Sequence, residues 1–261
     1  MKYIKTYCYA EHELEFIKAQ LIQSEGLVDY VVVYEYDVTH RGDPKPYRLE
    51  SLISTLNADL LKRLIYRPVS VKHLCKKTAD PKIIHEINES VQRSYFFNDP
   101  FFNLQPDDII IDCDVDEIIY KDRFKELFLF QKIVGVPVAI KLNQFFYKST
   151  YLWKDAKFSA ATCYKYSSVR KPKAIINDDF KVCHRRSLRI KYPRICGAHM
   201  SWIMPVSAMI TKLHSYGHLE YERFADFEIL TKAIEDKKYI FDEKRAFNIE
   251  ELSPEDPRIV L

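Results

Sequence analysis

Apolar and polar positions alternate along the first half of this chain in two registers, period two and period near 3.6, and the registers take turns. KTYCYA at residues 5–10 has strand character, and residues 13–25 place Leu14, Ile17, Leu21 and Ile22 at helical spacing. VDYVVVYEY at 28–36 predicts a second strand, closed by the turn-prone His40, Arg41, Gly42, Asp43 and Pro44. Residues 49–61 predict a helix, 64–71 a third strand broken at Pro68, and 81–97 a helix with Glu86, Gln92 and Arg93 on it. A fourth strand lies in DDIIIDCDVDEII at 107–119. This alternation predicts an α/β fold with a mostly parallel central sheet flanked by helices. In such sheets ligands bind beyond the carboxyl ends of the strands.

The second half is less regular. Residues 122–131 suggest a short helix, VPVAIKLNQFFY at 136–147 a long strand and 159–166 another, so this half is expected to be irregular and β-containing. Helical spacing returns at 205–213 and 222–236. From 242 onward a charged tail holding Pro254 and Pro257 is expected to be a loosely packed cover. No repeat, low-complexity tract or long linker divides the chain, which predicts one domain over 1–261.

The fourth strand ends in Asp112, Asp114, Asp116 and Glu117, four carboxylates within six positions. Alternate strand residues share a face, so the three aspartates are expected to converge at the strand's end. Like charges so close need a cation, a hydrogen-bond network or a raised pKa. A hard divalent ion, Mg²⁺ or Mn²⁺, bridging carboxylates to a substrate's phosphates answers that need. The plainer alternative is an acidic, solvated turn.

Charge narrows the partners. Forty basic residues against 37 acidic ones leave a formal net charge of +3, which argues against a dedicated nucleic-acid binder. A basic run, Arg185, Arg186, Arg189, Lys191 and Arg194, suits an anionic ligand or a solvated face. The six cysteines, Cys8, Cys75, Cys113, Cys163, Cys183 and Cys196, form no CxxC pair, so free thiols in a reducing compartment are expected. Neither a signal-peptide block nor an apolar run of about 18 residues or more is present. The expected location is cytoplasmic, in a bacterial or viral setting, with the Golgi lumen requiring an N-terminal anchor outside this sequence.

Four blocks, VVVYEYDVTHRGDPKPYRLE, HEINESVQRSYF, DDIIIDCDVDEI and CGAHMSWIMPVSAMITKLHSYGHLEY, resemble in order and spacing the sequences of glycosyltransferase family 17, whose members include the enzyme adding the bisecting N-acetylglucosamine to N-glycans. The resemblance covers roughly residues 5–240 and is loose over 140–195. It implies a GT-A type nucleotide-sugar-binding domain, with a nucleotide half over about 1–120 and an acceptor half beyond. It further implies a UDP-sugar donor, a Mn²⁺ or Mg²⁺ cofactor, and inverting transfer to a glycan hydroxyl that forms a β-linkage. N-acetylglucosamine is the first choice of sugar, with xylose or another sugar the alternative.

Carried over residue by residue, the D-x-D pair falls on Asp114 and Asp116, one contacting the metal and the other the donor ribose or a metal-bound water. Gln92 and Arg93 match the family's QR pair, the guanidinium suiting phosphate or the Asp cluster itself. Glu35 is a candidate acceptor for uracil or ribose, and Lys45 in THRGDPKP a candidate donor contact, unless that loop is only a rigid turn. His199 is the preferred imidazole ligand, ahead of His218. Trp153 and Trp202 are candidates for sugar stacking or for the core. An inverting transfer also needs a general base; Glu220 and Asp155 lead, followed by Asp178 and Asp179.

Two other functions fit parts of the pattern. A strand ending in D-x-D also marks haloacid-dehalogenase-like phosphatases, with Lys173 and Asp178/Asp179 as possible remaining parts, although three βα units precede the motif here. A non-catalytic carbohydrate-binding module would keep the fold without needing the acidic cluster. The expected partners are thus a UDP-sugar and a glycan or glycoconjugate, without nucleic acid or a membrane span.

Overall fold

A computed structural model describes residues 1–74, 81–168, 174–176, 180–182, 189–215, 219–242 and 244–261. Cys75, Lys173, Asp178, Asp179, Cys183, Arg185, Arg186 and His218 lie outside the described residues.

The expected βα succession is present through the first four strands. β1 (Lys2–Cys8) leads to α1 (Leu14–Gln23), β2 (Tyr30–Tyr36) to two short helices, α2 (Leu49–Ile53) and α3 (Ala58–Leu61), and β3 (Leu64–Val69) to α4 (Pro81–Ser94). β4 (Ile109–Asp112) follows. The single helix expected over 49–61 is split because Ser54 and Thr55 turn their hydroxyls onto the carbonyls of Ser51 and Leu52, and Asn57 caps α3 by accepting from the Leu60 amide. Pro68 is tolerated because β3 ends the sheet and pairs on one side only.

The second half contributes β5 (Glu117–Ile119), α5 (Phe124–Val134), β6 (Val138–Phe146), β7 (Lys148–Phe158), β8 (Thr162–Lys165), the hairpin β9 (Ala174–Ile176) and β10 (Phe180–Val182), and β11 (Ile190–Ser201). α6 (Val206–Ser215), α7 (Phe227–Glu235) and β12 (Ile249–Glu251) complete the chain. α5 stops at Gly135, whose φ of 66° is the left-handed cap that glycine adopts without steric cost. Asp226 starts α7 by accepting from two amides of its first turn.

The main sheet runs β12-β7-β6-β8-β4-β1-β2-β3, with β11 paired to β6 and β5. It is parallel along β4-β1-β2-β3 and again between β6 and β11. β8 is antiparallel to both β4 and β6, so β6 and β11 point the same way as β4. The carboxyl ends of β1, β4 and β11 therefore share one edge.

Both faces of the first strands are buried, and the pleat sorts them. Ile4, Val31, Val33 and Ile111 pack with Phe16, Ile17 and Leu21 of α1 and with α5. Tyr3, Tyr7, Val32, Tyr34 and Ile110 pack with Val91 and Phe96 on the α4 side. A third, aromatic cluster joins Phe146, Trp153 and Trp202 to α6 and α7. The tail is no loose cover: β12 pairs with β7, Leu252 is buried, and the Tyr120 hydroxyl donates to the Arg258 carbonyl. No helix among the described residues is long and apolar enough to cross a membrane.

Gly197 is the tightest point of the sheet. A Cβ there would lie inside the van der Waals surface of the Ile118 carbonyl oxygen and 2.9 Å from the Ile119 Cα. Both are backbone atoms held in the β5–β11 ladder. Gly197→Ala is expected to cost about 3 kcal/mol, at the upper end for overpacking, read as a lowered midpoint in urea denaturation.

Candidate active site

The acidic turn is built from both sides of β4. Its backbone closes on itself, with the Asp114 amide donating to the Glu117 carboxylate at 2.7 Å and the Glu117 amide to the Asp114 carbonyl at 3.0 Å. Gln20 of α1 donates to the Val115 carbonyl at 3.0 Å, and the Met200 amide of β11 donates to the Asp116 carbonyl at 2.8 Å. The turn is thus pinned between α1 and β11.

The three aspartates do not converge on one point. Asp112 faces Lys5, its register partner on β1, at 3.1 Å, and both side chains are buried. Lys5 also donates to the Arg93 carbonyl at 2.6 Å. Asp114 is held by the Arg93 guanidinium at 2.6 Å and by the Tyr7 hydroxyl at 2.5 Å, with the guanidinium over the Tyr7 ring. Burial works against the charge on Arg93, but Asp114, Tyr7 and Glu89 more than offset it, so the guanidinium stays charged. The pleat argument for convergence fails because the strand ends at Asp112 and the chain turns through Val115 and Asp116, so Asp116 is no longer on the strand's face.

Asp116 meets a different partner. His199 Nε2 lies 3.6 Å from its carboxylate, while His199 Nδ1 is 2.9 Å from the Gln144 side-chain oxygen and the ring stacks on Phe158. In the ladders His199 sits opposite Glu117 of β5 and Gln144 of β6. Burial disfavours the imidazolium, yet the carboxylates of Asp116, Glu117 and Asp114 outweigh it and raise the His199 pKa. Burial likewise opposes charge on Asp116, and His199 and Lys212 bring its pKa below the usual carboxylate value.

Gln92 belongs to the Arg93 network. Its amide donates to the Val38 carbonyl at 3.0 Å, its side-chain oxygen accepts from Tyr9, and Tyr9 also meets His40. Burial pushes the His40 imidazole down to about 3, so it is neutral in this network. Glu35 and Lys45 are together elsewhere, 3.1 Å apart, and Glu35 also accepts from Tyr66 and the amides of Arg48 and Leu49. The Glu35 carboxylate therefore fastens the 39–48 loop to the end of β2. Asp155 lies on β7 near the sheet edge, bonded to Asn248 at 2.5 Å. Glu220 is exposed on the 3-10 turn Leu219–Phe224 that packs beside α6. Trp153 and Trp202 are both buried in the aromatic cluster.

Lys5, Tyr7, Gln20, His12, Gln144 and Lys212 are the participants that motif reading leaves without a role. Lys5 alone had a local signal: a lysine in an apolar strand must find a carboxylate if both faces are covered. Lys212 extends from α6 with its ammonium 5.0 Å from the Trp202 ring centre and is near enough to shift both Asp116 and His12. Trp202 has a left-handed φ of 59°, rare for a bulky residue, where the chain leaves β11.

Among the described residues no three His, Cys, Asp or Glu side chains form a ready cage for a metal. The Asp116–His199 pair fits a different arrangement, an oxygen and an imidazole nitrogen side by side, with remaining positions left to a ligand's own oxygens. In comparison with known proteins, no family model and no curated sequence matches this chain.

Two outcomes follow. Lys5→Met strands a buried carboxylate and is expected to destabilise by about 3–5 kcal/mol in denaturant titration. The lowered Asp116 pKa adds stability above the unfolded carboxylate value, lost as pH falls through the folded one. The raised His199 pKa adds stability below the unfolded value of about 6.5, lost as pH rises through the folded one. In EDTA, melting temperature against pH should therefore be highest between the two unfolded values, about 3.9 and about 6.5, and fall on either side as each folded value is passed, a profile that His199→Gln flattens on the alkaline side.

Proposed function

We propose that this chain is a metal-dependent, inverting glycosyltransferase of the family 17 type, using a UDP-sugar donor and a glycan or glycoconjugate acceptor. The observation that supports this best is the Asp116–His199 pair at the carboxyl edge of the sheet, next to an Asp114 already neutralised by Arg93. Asp116 and His199 would hold Mn²⁺ or Mg²⁺ together with the donor diphosphate. A bound ion of that kind acts as a Lewis acid toward the departing UDP.

The chain's own groups have separate tasks in this reading. Arg93, bonded to both carboxylate oxygens, and Tyr7 hold Asp114 in one orientation beside Asp116. Lys212, which has no carboxylate within ion-pair distance among the described residues and whose ammonium lies over the Trp202 ring, supplies positive charge for the diphosphate. Glu220, on the turn packed against the helix of Lys212, is the carboxylate we assign as general base, taking the proton of the attacking hydroxyl. N-acetylglucosamine is the preferred sugar, with xylose as the alternative. A phosphatase gains no support, because Asp112 and Asp114 are each bonded to a cation rather than poised as a nucleophile.

UDP with Mn²⁺ is expected to raise the melting temperature, by the equivalent of about 2.7 kcal/mol at a hundredfold excess over Kd, and EDTA to abolish the shift. Asp116→Asn and His199→Ala should each reduce UDP release from the preferred UDP-sugar by roughly 100-fold or more. Unchanged turnover in Asp116→Asn, or no nucleotide shift with any metal, would overturn the assignment.

A further inference from the structure

Gln144, an amide buried in β6, is the register partner of His199 in the parallel β6–β11 ladder. Its side-chain oxygen lies 2.9 Å from His199 Nδ1. A side-chain amide can turn over and exchange acceptor for donor, but the neighbouring carbonyl decides the matter here. The Gln144 NH₂ group donates to the Phe145 carbonyl at 3.1 Å, and a carbonyl only accepts. The oxygen is therefore the end that faces the ring, and the proton between them is carried by Nδ1.

The imidazole has no better alternative. Turned over about its own axis, it would set a ring carbon against the Gln144 oxygen and leave a buried acceptor unmet. Phe158 stacks on the ring with centroids 3.9 Å apart and planes 24° from parallel, which holds the ring plane. His199 is 8% exposed and Gln144 6%, so bulk water does not compete for either. A neutral imidazole carries a single N–H, so with Nδ1 protonated the lone pair is on Nε2. Nε2 is the nitrogen that lies 3.6 Å from Asp116.

From this we infer that Gln144 is a positioning residue: it holds neutral His199 in the Nδ1–H tautomer and turns the Nε2 lone pair toward Asp116, so that the two offer a nitrogen and an oxygen to a divalent cation. A partner on the second nitrogen orients a ligating histidine and raises its basicity. An amide does this without placing another negative charge beside Asp112, Asp114, Asp116 and Glu117, where like charges already crowd. The inference rests on the metal-dependent transferase reading for the cation, whereas the tautomer is a property of the chain by itself.

The test is ¹⁵N NMR of the full chain labelled at histidine, in EDTA and at a pH where the His199 ring is neutral, joined to Mn²⁺ titrations read from water-proton relaxation with and without UDP. The signal that His199→Gln removes should be that of an Nδ1–H tautomer. Gln144→Met keeps the length of the side chain but not its acceptor; it should release the ring to the Nε2–H form and weaken Mn²⁺ binding by roughly 10- to 100-fold. Gln144→Glu restores the acceptor and should restore both the tautomer and the affinity. A role in packing alone would be served by methionine at least as well as by glutamate. An Nε2–H ring in the unaltered chain would overturn the role of Gln144 even if Gln144→Met did not fold. So would a folded Gln144→Met with tautomer and Mn²⁺ affinity unchanged, and both results leave the metal-dependent reading in place. An Nδ1–H ring in a chain that binds no Mn²⁺, with or without UDP, would uphold the tautomer and overturn the cation, and the transferase reading with it.

Discussion

The buried ion pair between Lys5 and Asp112 is the constraint on which the site depends. It joins the middle of β1 to the carboxyl end of the parallel strand β4, where both faces of the sheet are covered and water cannot screen either charge. A pair in such a place is weak evidence of net stabilisation but strictly requires both partners. Because the same ammonium also holds the Arg93 carbonyl, it fixes the end of α4 against the sheet. Arg93 can then reach Asp114 across the strand end.

The acidic cluster is consequently a row of carboxylates with different counter-charges rather than a shared pocket of like charge. Lys5 is paired with the first and Arg93 with the second. The third, Asp116, is met by an imidazole, which can give up its proton and become a neutral ligand. That graded arrangement relieves repulsion at Asp112 and Asp114 and leaves Asp116 as the member whose partner can lose its charge.

Sequence pattern was most informative where burial is two-sided and regular. The strands around Val31–Tyr36 and Ile109–Asp112, and the helices carrying Leu14 and Arg93, follow from periodicity. β11 was illegible because Pro193, Arg194 and Lys191 break the alternation, and its register slips between Lys191 and Gly197. β7 was hidden in the same way by Lys154, Asp155 and Lys157. The tail read as a cover, yet its Ile249–Glu251 segment completes the sheet through backbone hydrogen bonds that no composition reports.

The candidate site divides along the same line. Asp114 and Asp116 stand out in the sequence because carboxylates so closely spaced at a strand's end are unusual, Gln92 and Arg93 only through the family resemblance, and the strand pattern alone puts Asp112 at a strand's end. Which charge answers which is a matter of long-range packing: Lys5 lies 107 residues from Asp112 in the chain, and His199 meets Asp116 only because β11 is threaded beside β5 and β6. Likewise the type of Glu35 could suggest a nucleoside contact, whereas its four bonds to the following loop and to Tyr66 depend on tertiary geometry. Local sequence determines which backbone periods and side-chain chemistries are on offer; folding decides their partners, because desolvation makes a buried charge's nearest neighbour, and not its neighbour in sequence, control what it can do.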